Sequence, residues 1–160
     1  MDVHGRKLNY TYDPAGNPNL VKLDDSDYLD YTFDRLNRLQ LIKNVEDNTV
    51  VDYSYDAADR MVRTFLPNGI TTIYQYDGMS RLTRKRDFKT NPDTSVTNLY
   101  NRGYVYNQAS QIASITQPSG QTRNFSYDNL DRLTGVTGAA TENYSFDSVG
   151  NRLSSHLSTA

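Results

Sequence analysis

The sequence has no cysteine, no tryptophan and only two histidines, His4 and His156, at opposite ends of its 160 residues. Without cysteine, neither a disulfide framework nor a thiolate metal site is possible. The distant histidines do not make a metal pair. A Ser-His-Asp triad is also excluded, because no Gly-x-Ser-x-Gly elbow occurs. Charge of one sign is equally scarce: 17 Lys and Arg against 19 Asp and Glu leave a net charge of −2. That is too close to neutral to drive binding to nucleic acid or to a charged membrane surface. No run approaches the roughly 18 apolar residues of a membrane-spanning helix. The opening MDVHGRKLNY lacks the apolar core of a signal peptide. No cofactor, no metal, no catalytic residue and no membrane insertion are expected.

The chain does have aromatics. It carries 13 Tyr and 5 Phe although its mean hydropathy is −0.74. Disordered chains are poor in aromatic residues. A polar chain rich in Tyr, Thr and Val and punctuated by Gly, Asn and Pro reads as all-β with thin layers.

The aromatics recur in an aromatic-x-aromatic-Asp phrase. The copies are Tyr10-Tyr12-Asp13, Tyr31-Phe33-Asp34, Tyr53-Tyr55-Asp56, Tyr74-Tyr76-Asp77, Tyr104-Tyr106-Asn107, Phe125-Tyr127-Asp128 and Tyr144-Phe146-Asp147. Successive Asp or Asn positions are 21, 22, 21, 30, 21 and 19 residues apart, and 14 of the 18 aromatics occupy these slots. The sequence is therefore one array, residues 1–160, of about seven repeats with a period near 21.

Each unit reads as a β-hairpin. ITTIYQYD (Ile70–Asp77) alternates and is rich in Thr, Ile and Tyr, as a strand is. GMSR follows as a short connection, and LTRKRDF returns as a second strand. LPNG (Leu66–Gly69) and QPSG (Gln117–Gly120) lead into the next copy, Pro presetting φ and Gly accepting positive φ. Helix is excluded by the i, i+2 aromatic spacing. About 14 short antiparallel strands in an open sheet result. The 30-residue step predicts a longer loop at about 85–103, and the acidic LDDSDYLD (Leu23–Asp30) reads as a solvated loop or bulge without the glycine or spacing of a calcium site.

In a strand, residues i and i+2 share a face. Each phrase thus puts two rings on one face, a structural aromatic ladder in which equivalent rings come into register. The intervening residue is Thr11, Thr32, Ser54, Gln75, Val105, Ser126 or Ser145, mostly polar. Asp34/Arg38, Asp56/Arg60, Asp77/Arg81 and Asp128/Arg132 share one spacing. The Asp can bond backbone amides two residues on, and the Arg is placed to reach that carboxylate or its neighbour in the adjacent repeat. In the fifth copy Asn107 and Gln111 replace both charges together. YDPAGN has no Arg at the slot, and FDSVGNRL carries one extra residue before Arg152.

Tyr-Asp followed by x-x-x-Arg-Leu, or by x-x-Gly-Asn-Arg-Leu, resembles the YD repeat of the Rhs (rearrangement hotspot) family. YDPAGN, YQYDGMSRL and FDSVGNRL carry the resemblance most clearly, and it extends from about Leu8 to Leu153. Similar repeats occur in bacterial Rhs toxins, in the B and C components of insecticidal toxin complexes, and in teneurins. The resemblance implies an all-β strip of antiparallel hairpins that curves as part of a spiral β-shell enclosing a toxin or effector. It also implies a secreted or cell-surface location, and as partners neighbouring repeats, copies of itself through sheet edges, or an encapsulated polypeptide. Seven residues follow Leu153, so the sequence is expected to hold no toxin domain and to be a piece of an array or a short self-standing version. The alternative is a self-associating surface fibre or adhesion module, its ladder binding glycans.

Overall fold

The computed structural model describes residues 6–46, 48–138 and 140–159, with side chains described as far as Ser154. The described residues form fourteen strands and no helix. The strands are β1 (Leu8–Tyr12), β2 (Pro18–Leu23), β3 (Ser26–Phe33), β4 (Leu39–Asn44), β5 (Val50–Tyr55), β6 (Met61–Phe65) and β7 (Ile70–Tyr76). They continue as β8 (Leu82–Thr90), β9 (Val96–Tyr106), β10 (Ile112–Thr116), β11 (Thr122–Tyr127), β12 (Leu133–Thr137), β13 (Ala140–Phe146) and β14 (Arg152–Thr159). They lie in one sheet in chain order, with β1 and β14 at the ends of that order. Every connection is local, so each strand finds its partner through a tight turn.

The chain falls into two compact units: Met1–Tyr74 with Asp87–Asn98, and Gln75–Arg86 with Leu99–Ala160. In the first, Val21 stands opposite Tyr10 and Leu29, and Ile42 opposite Tyr31 and Val51. In the second, Ile115 stands opposite Tyr104 and Arg123, and Val136 opposite Phe125 and Glu142. Opposed residues share a face, so in each unit the first ring of a copy lies among aliphatic side chains of the flanking return strands. Among the described residues the buried hydrophobics are Val21 and Val136 alone, at 5% and 2% exposure. Each unit is thus a sheet whose apolar face is half-covered by its own side chains and by no second layer.

One irregularity repeats. The register slips by one residue where the return strand begins, so that Tyr12 faces Pro18, Phe33 faces Leu39 and Tyr55 faces Met61. Tyr106 faces Ile112, Tyr127 faces Leu133 and Phe146 faces Arg152 in the same way. A bulge at this point adds local twist and brings the first return residue onto the face of the second ring.

One expectation is corrected and another is made specific. Residues 85–103 are not a long loop: β8 and β9 extend through them and meet at a turn in which the Asn91 amide donates to the Ser95 carbonyl at 2.9 Å. The extra residues alternate and include Phe88, Val96, Thr97 and Tyr100, which favour a pleated strand, so the insertion lengthens a hairpin. The acidic stretch, expected as a solvated loop or bulge, is a tight turn followed by a strand whose register slips at Tyr28. Asp24 and Asp25 take φ of 49° and 68°, a two-residue hairpin turn of the kind short acidic residues tolerate, and Ser26 onward is β3.

Candidate functional site

The repeated turn is built around its Asp. In the second copy the Asp34 amide donates to the Arg38 carbonyl at 2.9 Å and the Asn37 amide to the Asp34 carbonyl at 3.0 Å. Closing the turn places its fourth residue in the left-handed region: Asn37, Asp59, Ser80, Ser110 and Asp131 have φ of 61–64°, and Gly16 and Gly150 have 86° and 93°. Asn, Asp, Ser and Gly are the types that accept this conformation. This restricted slot was missed in the sequence, although all seven copies display it.

The carboxylate divides its oxygens. Oδ1 of Asp34 accepts the amides of Leu36 (2.9 Å) and Arg38 (3.0 Å), while Oδ2 accepts Arg38 Nε (2.7 Å). Asp56, Asp77 and Asp128 repeat the pattern with Arg60, Arg81 and Arg132, their Nε lying 2.7–2.8 Å from Oδ2. The arginine also reaches the next copy. Arg38 Nη1 donates to Asp59 Oδ1 at 2.7 Å and to the Asp56 carbonyl at 3.2 Å, and Arg81 Nη1 donates to Ser110 Oγ at 3.1 Å. The guanidinium therefore clamps two successive turns.

The copies with no arginine in the slot keep this wiring. Asn107 Nδ2 donates to Gln111 Oε1 at 2.6 Å, and Gln111 Nε2 donates onward to Asp131 Oδ1 at 3.0 Å. Asn17 fills the arginine slot of the first copy, donating to Asp13 Oδ2 at 3.0 Å and also to Asn37 Oδ1. In the last copy the slot belongs to Asn151, 2.9 Å from Asp147 Oδ2. Arg152 is displaced onto the ring face, its guanidinium 5.5 Å from the Tyr144 ring centre.

The expected ladder also needs correction. Strands that carry equivalent rings are separated by a return strand, so their backbones lie about 9.6 Å apart, wider than the 4.5–7 Å of stacked aromatics. Guanidinium groups fill the intervals. Arg38 lies 4.6 Å from the Tyr55 ring centre, Arg81 4.7 Å from Tyr106, and Arg132 4.6 Å from Phe146. The second ring of a copy thus caps the clamp of the copy before it through a cation–π contact. Its hydroxyl finds the return strand of that copy: Tyr55 donates to the Leu39 carbonyl at 2.8 Å, and Tyr106 and Tyr127 donate to the Leu82 and Ile112 carbonyls at 2.9 Å. Burial pushes the Tyr55 and Tyr106 hydroxyls above the ordinary phenol range, so they remain protonated donors. Tyr31, Phe33, Tyr53, Tyr74, Tyr76, Tyr104, Phe125 and Tyr144 are half-buried, whereas Tyr10 and Tyr12 are exposed.

The turn carboxylates sit below the usual carboxylate range. The largest cause is the arginine side chain for Asp34 and Asp56, the Arg81 and Arg132 amides for Asp77 and Asp128, and the asparagine side chain for Asp13 and Asp147. A carboxylate with a depressed folded pKa contributes stability above its unfolded value, here 3.8, and loses it as pH falls through the folded value. Thermal melts should therefore hold a steady midpoint from neutral pH to about pH 5 and fall steeply below pH 4. A midpoint indifferent to acid would refute the role given to these groups.

Among the described residues no group of three or more His, Asp or Glu could hold a metal ion. His4 lies outside the described residues, and of His156 only the backbone is described.

A family model, RHS Repeat, matches residues 55–96 and 106–142. Among solved structures, the chain superimposes on the TcdB2-TccC3 complex with a TM-score of 0.73 and 18% identity, over 96% of this chain and 9% of that one. The Tc holotoxin pore of Photorhabdus luminescens gives a TM-score of 0.73 and 18% identity, over 95% of this chain and 9% of that one. At that identity the likeness is one of fold, and the chain spans about a tenth of the length of the solved chains it matches. No curated protein sequence matches it. The matched repeats, the Tyr-Asp turns and the chain-ordered hairpin sheet together identify the chain as an array of RHS repeats, a member of the Rhs or YD-repeat family.

Proposed function

We propose that the chain is a non-catalytic wall segment of a β-shell of the Rhs kind, continued on both sides by further repeats and enclosing a polypeptide cargo. The observation that carries this reading is the exposed single layer. With two buried hydrophobics among the described residues, the hairpins are held together by clamps repeated from copy to copy, and no described copy departs into a unique reactive site. Such a construction suits a surface that partitions space. The solved chains of similar fold bear the names of toxin-complex components, and a secreted, toxin-associated protein accords with that. Electron microscopy of the full protein that carries these repeats, joined to limited proteolysis, tests the proposal. The expected result is a closed particle holding a segment that resists protease until the particle is opened. Solid or open particles, with that segment cut as fast as free polypeptide, would overturn it. Unbranched fibres would favour the adhesion-module reading.

A further inference from the structure

Of the nine glycines, only Gly69 follows an asparagine and only Gly78 follows an aspartate. These two steps share a chemistry. A backbone nitrogen can attack Cγ of the preceding Asn or Asp and close a succinimide ring. Glycine hinders that attack least, because no Cβ shields its nitrogen. The fold treats the two steps oppositely.

Asn68–Gly69 lies open. Asn68 is exposed at the crest of the β6–β7 turn. There the Leu66 amide donates to the Ile70 carbonyl at 2.8 Å and the Gly69 amide to the Leu66 carbonyl at 2.9 Å. The Ile70 amide donates to Asn68 Oδ1 at 3.1 Å. That bond folds the side-chain amide back over the Gly69 peptide, and it favours the negative charge that gathers on Oδ1 as a nitrogen adds to Cγ. The Gly69–Leu66 bond restrains the nucleophile, but an exposed turn opens such a bond at little cost. The acid that results also has a place. Asp93 holds the same position in the β8–β9 turn, where the Asn91 amide donates to the Ser95 carbonyl and the Thr94 amide to the Asn91 carbonyl. Its Oδ1 accepts the Ser95 amide at 3.0 Å.

Asp77–Gly78 is closed. A carboxylate must take up a proton before its oxygen can leave as water. Asp77 Oδ1 accepts the Met79 and Arg81 amides at 2.9 and 3.0 Å, and Oδ2 accepts Arg81 Nε at 2.7 Å. The Arg81 amide, and after it the guanidinium, holds this carboxyl below the usual carboxylate range. The same bonds pin the side chain.

We propose that Asn68 is a site of spontaneous deamidation in the folded chain, and that the clamp at Asp77 guards the matching step there. The Gly69 nitrogen gives its proton to water and bonds Cγ of Asn68. The Cγ–Nδ2 bond breaks and ammonia leaves. Water then opens the succinimide at Cγ, giving aspartate, or at the main-chain carbonyl, giving isoaspartate. Asparagine plus water becomes the acid plus ammonia, with no change of oxidation state. The aspartyl product keeps the turn, as Asp93 does. The isoaspartyl product routes the main chain through Cγ, which adds a methylene to the turn and disrupts its closing bonds. Neither step depends on what the sheet encloses.

Peptide mapping by mass spectrometry, on the intact chain held at physiological temperature and mildly alkaline pH, tests both halves. The mass gain of amide-to-acid conversion should appear at Asn68 at least about tenfold faster than at any other asparagine. Isoaspartate at Asp77, read by enzymatic methylation of the same peptides, should stay at background in the folded chain and rise when the chain is unfolded in urea. Conversion at Asn68 no faster than elsewhere in the folded chain, or isomerisation at Asp77 equal in the folded and unfolded chain, would overturn the proposal.

Discussion

Gly138→Ala should lower the midpoint of thermal unfolding by roughly 10 °C, the expected consequence of about 3 kcal/mol in a chain of 160 residues. Gly138 follows β12 with φ of +144°, a conformation closed to side chains. A Cβ there would lie 2.5 Å from the Thr122 carbonyl oxygen and 3.2 Å from the Arg123 Cα. Both are backbone atoms of β11, so neither can swing aside. Relief would require separating β11 from the β12–β13 turn, beside the buried Val136. Strain and overpacking each cost about 1–3 kcal/mol. Gly16 supplies the control. It too has positive φ, but a Cβ added there would meet nothing within 4 Å, and the equivalent residue of the next copy is Asn37 at φ 64°. Gly16→Asn should therefore leave the midpoint within about 2 °C of the parent. Equal effects at the two glycines, read by circular dichroism on heating, would refute the steric argument.

The sequence made the fold legible because the repeat forced it. A ring pair every 21 residues, with a turn signature behind it, leaves a strand period and a hairpin length that admit little else. The Asp and Arg at the turn were legible for the same reason, since a fixed spacing seen four times implies a fixed geometry. What remained hidden depended on relations between copies. The reach of the arginine into the adjacent repeat was expected as an alternative to its own Asp; that Arg38 bonds Asp34 and the fourth-position Asp59 at once follows from the inter-copy register, which the bulge at the start of each return strand sets. The bulge leaves no distinctive residue type, as Asn19, Gln40 and Val62 show. Asn17 and Asn151 escaped notice because an amide does with one nitrogen part of what a guanidinium does with three, and a search for charge passes over it. The region at 85–103 was misread because a break in the period looks like a loop. Strand propensity within it, with Phe88, Val96 and Tyr100 in alternating polar surroundings, was the available counter-signal.

The clamp makes a prediction about coupling between charges. Asp34→Ala removes the acceptor of two backbone amides and of Arg38 Nε, and should lower the melting midpoint by roughly 5 °C. Arg38→Ala removes the cap on Tyr55 and the link to Asp59, and should cost a similar amount. Because each substitution destroys the same pair, the double variant should melt well above the additive expectation. Asp34→Asn keeps an oxygen for the Leu36 and Arg38 amides but strands the guanidinium without its carboxylate. Adding Arg38→Gln to it recreates the neutral arrangement of Asn107 and Gln111, in which the amide bonds its own turn and the acid at the fourth position of the next. Since Asp59 occupies that fourth position after Arg38, as Asp131 does after Gln111, the neutral pair has its onward acceptor ready. Asp34→Asn with Arg38→Gln should therefore recover most of the stability that Asp34→Asn alone loses. A merely additive cycle, or a double variant no better than Asp34→Asn, would reduce the clamp to two side chains that happen to lie close. Recovery would establish that the hairpins are joined by a transferable hydrogen-bond pattern, which charge strengthens and an amide pair can replace.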